Sequence, residues 1–278
     1  MRCNKCKNPI KWFWSYCPKC GNVIENKPLL YCLTGILIII IFALGIGKNM
    51  YGSMIIISLI INASFLYTSF KKQKYSNYEI GCLLAYELFG IILGAKLLTY
   101  ITDFNRCKSI SFLKIGLSSY GAVIGAFLML FIYQLQFKKD KKVLLINCML
   151  PLPLMYSVGK IGCFIAGCCY GIEYSGPFNI VYNNSLDAPS GVSLFPIQFL
   201  ESVVFLFIFV CLYFNKKLSD INKCGLILII CGSAKFLLDF LRASHTNTIL
   251  SVNQMISIII AIIGLLILIT NKTSIRNK

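Results

Sequence analysis

Two groups of residues in this sequence have the types and spacing for chemistry. The first lies in MRCNKCKNPIKWFWSYCPKCGN, where Cys3-x2-Cys6 and Cys17-x2-Cys20 form two CxxC pairs with a short spacer. Four thiolates so arranged suit a tetrahedral zinc ion, and the CPKCG turn aims backbone amides at the sulfurs. A disulfide pair or a redox CxxC are the alternatives. Zinc is preferred because a segment this short has almost no apolar core without a metal. The thiolates need a reducing compartment. With no catalytic group of its own, the ribbon reads as a structural or docking module, open to a cytoplasmic protein partner.

The second group is GKIGCFIAGCCYG, from Gly159 to Gly171. Lys160 stands in an apolar run, followed by Cys163, Cys168 and Cys169 and flanked by Gly159, Gly162, Gly167 and Gly171. A lysine at mid-bilayer costs about 2.5–3.5 kcal/mol, so it needs a reason to be there. The glycines let a backbone or a lipid headgroup approach closely. The cysteines read as small buried hydrophobes, with a disulfide or a reactive thiol as alternatives.

Other ionisable residues fall in apolar runs: Lys96, Lys235, Glu87, Glu201 and Asp239. Structural pairing is the plain explanation. Lys235 and Asp239 are four apart on one helix face, and Asp239 and Arg242 are three apart. Lys160 has no acid within four residues on its own helix, and so reads as the least committed cation. Glu87 lies about 13 Å along the axis from Lys96, at about 1.5 Å per residue, which makes it a poor partner. The surplus positive charge is suited to an anionic lipid headgroup.

The elements that must carry these residues are membrane spans. The chain has 278 residues, is 57% hydrophobic and only 13% charged, which is too apolar for an ordinary soluble domain. Eight apolar stretches are long enough for helices near 29–47, 51–69, 80–101, 115–134, 144–170, 197–214, 224–241 and 252–270. The fifth should kink or break at Pro151, Pro153 or Gly159. With eight spans, nineteen Lys and Arg residues lie on the side of the termini and five on the other. The positive-inside rule then places both termini in the cytoplasm and Lys96, Lys160 and Lys235 in the outer halves of their helices. The same rule accounts for the net charge of +17. No basic face or nucleic-acid motif stands out. The polar, cysteine-rich start is no cleavable signal peptide.

From about Tyr51 to Thr270 the chain resembles bacterial prolipoprotein diacylglyceryl transferases. MYGSM is similar to that family's opening Tyr-Gly segment, with Tyr51 at its functional tyrosine. GAKLLTY resembles its GxR-type segment, with Lys96 for arginine. GLSSYGAVIG is similar to its serine–histidine–glycine stretch, with Tyr120 where histidine is usual. GKIGCFIAGCCYG resembles the signature GRxGNFxNxE. There Lys160 stands for arginine, Cys163 and Ala166 for the asparagines and Cys168 for the glutamate. FPIQFLES is close to HPxQxYE, keeping Pro196, Gln198 and Glu201, and KFLLDFLR resembles RFxxEFxR, with Lys235, Asp239 and Arg242 in register.

The resemblance implies an all-α polytopic membrane protein with a seven-helix core. One N-terminal transmembrane helix and a zinc ribbon are added to it. The expected organisation is a ribbon at 1–27, an extra span at 28–48, the transferase-like domain at 49–271 and a basic tail at 272–278. The implied activity is transfer of a diacylglyceryl group from phosphatidylglycerol to the lipobox cysteine of prolipoproteins, at the outer leaflet of the bacterial plasma membrane. Tyr51, Tyr120, Lys160, Cys168, Lys235 and Asp239 are then catalytic. Lys96, Lys160, Cys163, Gln198, Glu201 and Arg242 bind substrate. Cys3, Cys6, Cys17 and Cys20 hold a structural zinc, and catalysis is expected to use no cofactor. His245 reads as a loop residue rather than a replacement base. The alternatives are a paralogue with another lipid donor or acceptor, and a non-catalytic lipid-binding scaffold.

Overall fold

The computed structural model describes residues 2–10, 14, 16–22, 50–104, 108–109, 112, 116–245 and 249–276. The additional span expected at 29–47 lies outside the described residues. Seven described helices are long and apolar enough to cross a membrane, each matching an expected stretch. The protein is an all-α polytopic membrane protein. Its side chains agree with that reading. Ile258, Ile259, Ile262, Ile263, Leu265, Leu266 and Ile269 of the last helix are all exposed, a band that only lipid would favour.

The chain divides into two compact units: Met1–Gly45 with Ala63–Leu144, and Ile46–Asn62 with Leu145–Lys278. Helix α1 (Met50–Lys72) therefore contributes its start to the second unit and its end to the first.

In the first unit, α2 (Asn77–Thr102) starts at a capping box, with Ser76 and Glu79 satisfying each other's backbone amides. It packs on α3 (Ser119–Phe137) through glycines. A methyl group at Gly125 would sit 2.0 Å from the Gly90 carbonyl oxygen, and one at Gly94 would sit 2.3 Å from that of Gly121. Only hydrogen fits there, which lets two backbones touch where lipid gives helices little hydrophobic reason to associate. Tyr133 donates to the Glu79 carbonyl across the same pair at 3.1 Å.

The expected long fifth span is two helices, α4 (Lys141–Met149) and α5 (Leu152–Ala166). The break falls at Leu150–Pro151 because proline supplies no amide to the helix ladder. Pro153 is tolerated in the first turn of α5, and the helix runs through Gly159 without interruption. Then follow a two-stranded antiparallel hairpin, β1 (Ile180–Val181) and β2 (Ser193–Leu194), and helices α6 (Ile197–Phe214), α7 (Asp220–Asp239) and α8 (Val252–Arg276). The hairpin was not among the sequence expectations, since its strands are only two residues long. Within the second unit α5 packs on α6 and α7 on α8.

Candidate functional site

Three basic residues from α5, α7 and the turn after α7 converge on one carboxylate of α6. Glu201 is fully buried, as are its partners Lys160, Lys235 and Arg242 to within a few per cent. Lys160 Nζ is 2.8 Å from Glu201 Oε2 and Lys235 Nζ is 3.2 Å from Oε1. Arg242 donates from one terminal nitrogen to both carboxylate oxygens, at 2.7 and 2.8 Å. Burial opposes the Arg242 charge, but Glu201 more than offsets it and holds the guanidinium protonated well above its ordinary range. Asp239 accepts from the Ser251 hydroxyl and lies 3.9 Å from Arg242 Nε, too far for a hydrogen bond. Arg242 Nε itself is buried without an acceptor among the described residues. Three cations thus face two carboxylates, leaving one positive charge in a desolvated site.

This geometry corrects one expectation. Lys160 is not the least committed cation: its acid comes from α6, across a helix contact that same-helix spacing cannot reveal. Lys235, assigned to Asp239 by the four-residue spacing, bonds to Glu201 and to Tyr156. Tyr156 is the residue that sequence reasoning missed. Its hydroxyl accepts from Lys235 at 2.6 Å and donates to Glu201 at 3.0 Å, and both lysines lie over its ring. The signal was available: Tyr156 is four residues before Lys160 on one helix face.

The glycines divide by role. Gly162 carries the crossing of α1 over α5, since a methyl group there would sit 2.8 Å from Met54 Cβ and 3.5 Å from Tyr51 Cδ2. Gly167 ends α5 in a left-handed conformation at φ 66°, where its amide bonds back to the Cys163 carbonyl. Gly171 passes under Phe195, whose carbonyl oxygen would be 2.4 Å from an added methyl. That passage pairs Gly171 with Arg242 and positions the turn that carries the guanidinium. A methyl at Gly159, by contrast, would meet nothing within 4 Å.

The reversal at Gly167 folds Cys168 and Cys169 back over Cys163. The three sulfurs lie within 4.8 Å of one another. Cys163 and Cys168 are buried and Cys169 is exposed. Gln198 donates to the Cys168 carbonyl at 2.9 Å, so its role is to hold this turn. Hydrogen bonds from the Cys163 and Cys168 thiols lower Cys169 well below the ordinary thiol range, with Lys160 and Arg242 adding to the effect. Cys163 and Cys169, together with burial, push Cys168 up. Tyr51 is near enough for Cys163, Cys168, Cys169 and Lys160 to act on it electrostatically.

Two expected site residues belong to the first unit. Lys96, buried at 2% exposure, donates to the Phe112 carbonyl at 3.2 Å and lies over that ring. Tyr120 is buried in the first turn of α3. His245 closes the short 3-10 turn Ala243–His245 after Arg242.

The N-terminal ribbon is built from two copies of one turn. The Cys3 amide bonds to the Asn8 carbonyl and the Lys7 amide to Cys3; the Cys17 amide bonds to Asn22 and the Gly21 amide to Cys17. Lys7 and Gly21 close the two turns with positive φ, at 56° and 66°. The sulfurs face each other at 3.6 Å (Cys3–Cys20) and 3.5 Å (Cys6–Cys17). A tetrahedral ion with bonds of about 2.3 Å to sulfur needs about 3.8 Å between sulfurs, so the four residues fit a metal. The Cys6 amide lowers the Cys3 thiol to about 6, while burial and the neighbouring thiols push Cys20 up to about 12.

The fold and the cluster define a helical membrane protein with three basic residues gathered on one buried carboxylate. Comparison identifies the family. A profile of the prolipoprotein diacylglyceryl transferase family matches residues 39–270. A phosphatidylglycerol–prolipoprotein diacylglyceryl transferase of Clostridium tetani is 32% identical over 227 residues, 78% of this chain and 90% of the relative. A second such transferase, from Clostridium perfringens, is 30% identical over 244 residues, 84% of this chain and 95% of its own length. One from Dehalococcoides mccartyi is 30% identical over 189 residues, 64% of this chain and 71% of the relative. The chain belongs to the prolipoprotein diacylglyceryl transferase family.

Proposed function

We propose that the protein transfers a diacylglyceryl group from phosphatidylglycerol to the cysteine thiol of a prolipoprotein lipobox. One observation carries the reading: Lys160, Lys235 and Arg242 converge on Glu201 with a net positive charge. In the reaction a C–S bond forms and the C–O bond to the phosphate breaks. Glycerol 1-phosphate leaves, and the thiol gives up its proton. Negative charge grows on the departing phosphate oxygen, where preorganised cations in a water-poor site stabilise the transition state most. Glu201 and Tyr156 fix those cations beforehand. Lysine at 160 and 235 retains the charge without arginine's bidentate fork, so Arg242 is the group that supplies paired N–H donors. Gln198 holds the turn at Gly167, and Tyr51, Lys96 and Tyr120 stand at positions that match the family's motifs.

The orientation belongs to the same proposal. The charge asymmetry supports cytoplasmic termini and a site toward the outer leaflet. Lys138, at the end of α3, lies over the Tyr16 ring of the ribbon at 4.4 Å, which supports placing the ribbon on the side of that basic loop. Cys3, Cys6, Cys17 and Cys20 would there hold a structural zinc in a reducing compartment and offer a surface to a cytoplasmic protein partner. A second reading, a transferase with another donor or acceptor, is favoured by Cys163 and Cys168, which replace signature residues.

The test is transfer in proteoliposomes from phosphatidylglycerol labelled in both its diacylglyceryl and headgroup parts to a lipobox peptide. The expected products are a thioether-linked peptide and labelled glycerol 1-phosphate. Lys160→Ala should lower the rate at least about a hundredfold, as loss of a transition-state donor does, and Lys160→Arg should retain it. Transfer from a different phospholipid alone would select the second reading.

A further inference from the structure

We infer that Cys163, Cys168 and Cys169 form a three-thiolate site for a zinc ion whose fourth position takes the acceptor thiol. The inference rests on the transferase reading for the identity of that fourth ligand. The geometry comes first. The three sulfurs already lie within 4.8 Å of one another, and a tetrahedral zinc–thiolate site needs about 3.8 Å. Cys163 and Cys168 are buried and Cys169 is exposed, so the trio lies at the edge of the packed interior. Zinc sites with three protein ligands and an open position are the reactive kind.

Backbone and charge agree. Cys169 holds a left-handed φ of 52°, a conformation that non-glycine residues seldom adopt. It sits in the residue that turns its sulfur toward the other two. Cys168 is fixed by its amide bond to the Cys163 carbonyl and by Gln198 on its own carbonyl. Loading a divalent ion while releasing three thiol protons changes the site by one negative charge. The acceptor thiolate adds a second negative charge, and the adjoining cluster of Lys160, Lys235, Arg242, Glu201 and Asp239 carries one positive charge that offsets part of it.

The chemistry answers a gap in the site. The acceptor must lose its proton to attack carbon, and Tyr120, where the family has histidine, is a poor base at neutral pH. A thiol that coordinates zinc is deprotonated outright, its proton passing to solvent. The acceptor sulfur would then be held as a thiolate next to the cations that receive the phosphate. It forms the C–S bond as the C–O bond breaks, without change of oxidation state, and the thioether product, a weaker ligand, leaves the ion.

The experiment uses the full chain in detergent micelles, purified under reduction, and titrated with Zn2+ and with Co2+ as a visible probe. Two equivalents of zinc are expected, one in the ribbon and one in the trio. Cys163→Ala/Cys168→Ala/Cys169→Ala should bind one, and Cys3→Ser/Cys6→Ser/Cys17→Ser/Cys20→Ser should bind the other. Two equivalents in the first variant, or a disulfide within the trio of the reduced, metal-free protein, would overturn the site. A lipobox peptide should shift the Co2+ absorption of the ribbon variant, and its serine analogue should not. No shift would overturn the acceptor role even where lipid transfer is intact. A shift without any transfer from phosphatidylglycerol would retain the metal site and sink the transferase reading instead.

Discussion

Glu201 is the residue on which the site turns. Its carboxylate meets Lys160, Lys235, Arg242 and the Tyr156 hydroxyl, and it is fully buried. Removing one member of a buried ion pair costs about 3–5 kcal/mol, because the remaining charges stay desolvated and unmatched. Glu201→Gln should therefore lower the thermal stability of the micellar protein by an amount of that order. The loss should shrink in micelles containing phosphatidylglycerol, whose phosphate takes over part of the neutralisation, and persist in those containing only a neutral phospholipid. A variant as stable as the parent in neutral lipid would show that Glu201 does not hold the cations. Cys168 makes a different point at this scale. The family signature has a carboxylate where this chain has a thiol, and the structure surrounds that thiol with two others rather than with cations alone.

Among the elements, glycines decide which helices touch and where. Gly90 and Gly94 of α2 meet Gly125 and Gly121 of α3 with no room for a methyl group, whereas Gly159 in α5 has open space around it. The two kinds should respond in opposite directions. Gly125→Ala should cost about 1–3 kcal/mol, since backbone rather than a movable side chain blocks it. Gly159→Ala should be neutral or stabilising by up to about 1 kcal/mol, through helix propensity alone. Thermal unfolding of both variants in one detergent is the comparison, and equal losses would mean that the α2–α3 contact is looser than described. The glycine that ends α5 acts differently. Gly167 converts a helix end into the fold-back that assembles the thiols, so its left-handed φ is tied to the site rather than to a helix crossing.

For the whole molecule the consequential question is sidedness. The proposed orientation puts the loop between α5 and α6 outside the cell and the ribbon inside it. Phe178, at 91% exposure in that loop, offers a reporter position. Phe178→Cys in intact cells should react with an impermeant maleimide, while Cys3 and Cys20 should react only after lysis, as mapped by mass spectrometry of the labelled peptides. Labelling of Cys3 before lysis would reverse the assignment.

The sequence by itself determined the class of the protein, the seven described spans and most of the residues that meet at the site. Apolar length and charge asymmetry are local, additive properties, and bilayer thickness converts them directly into helices. The motif order from Tyr51 to Arg242 identified the family that the comparisons confirm. The two CxxC pairs likewise announced a four-sulfur cluster, because their spacing alone closes it. Only the tertiary structure decided the partners. Lys160 finds Glu201 forty-one positions away, and Arg242 finds it again from the turn after α7. Spacing along one helix instead assigned Lys235 to Asp239 and left Lys160 without an acid. The physical reason is that a buried charge is satisfied by whichever group packing brings within about 3 Å, and packing follows close passages such as the α1–α5 crossing at Gly162 and the loop passage of Gly171 under Phe195. Tyr156 joined the cluster at the same step, because its partners Glu201 and Lys235 lie on other helices.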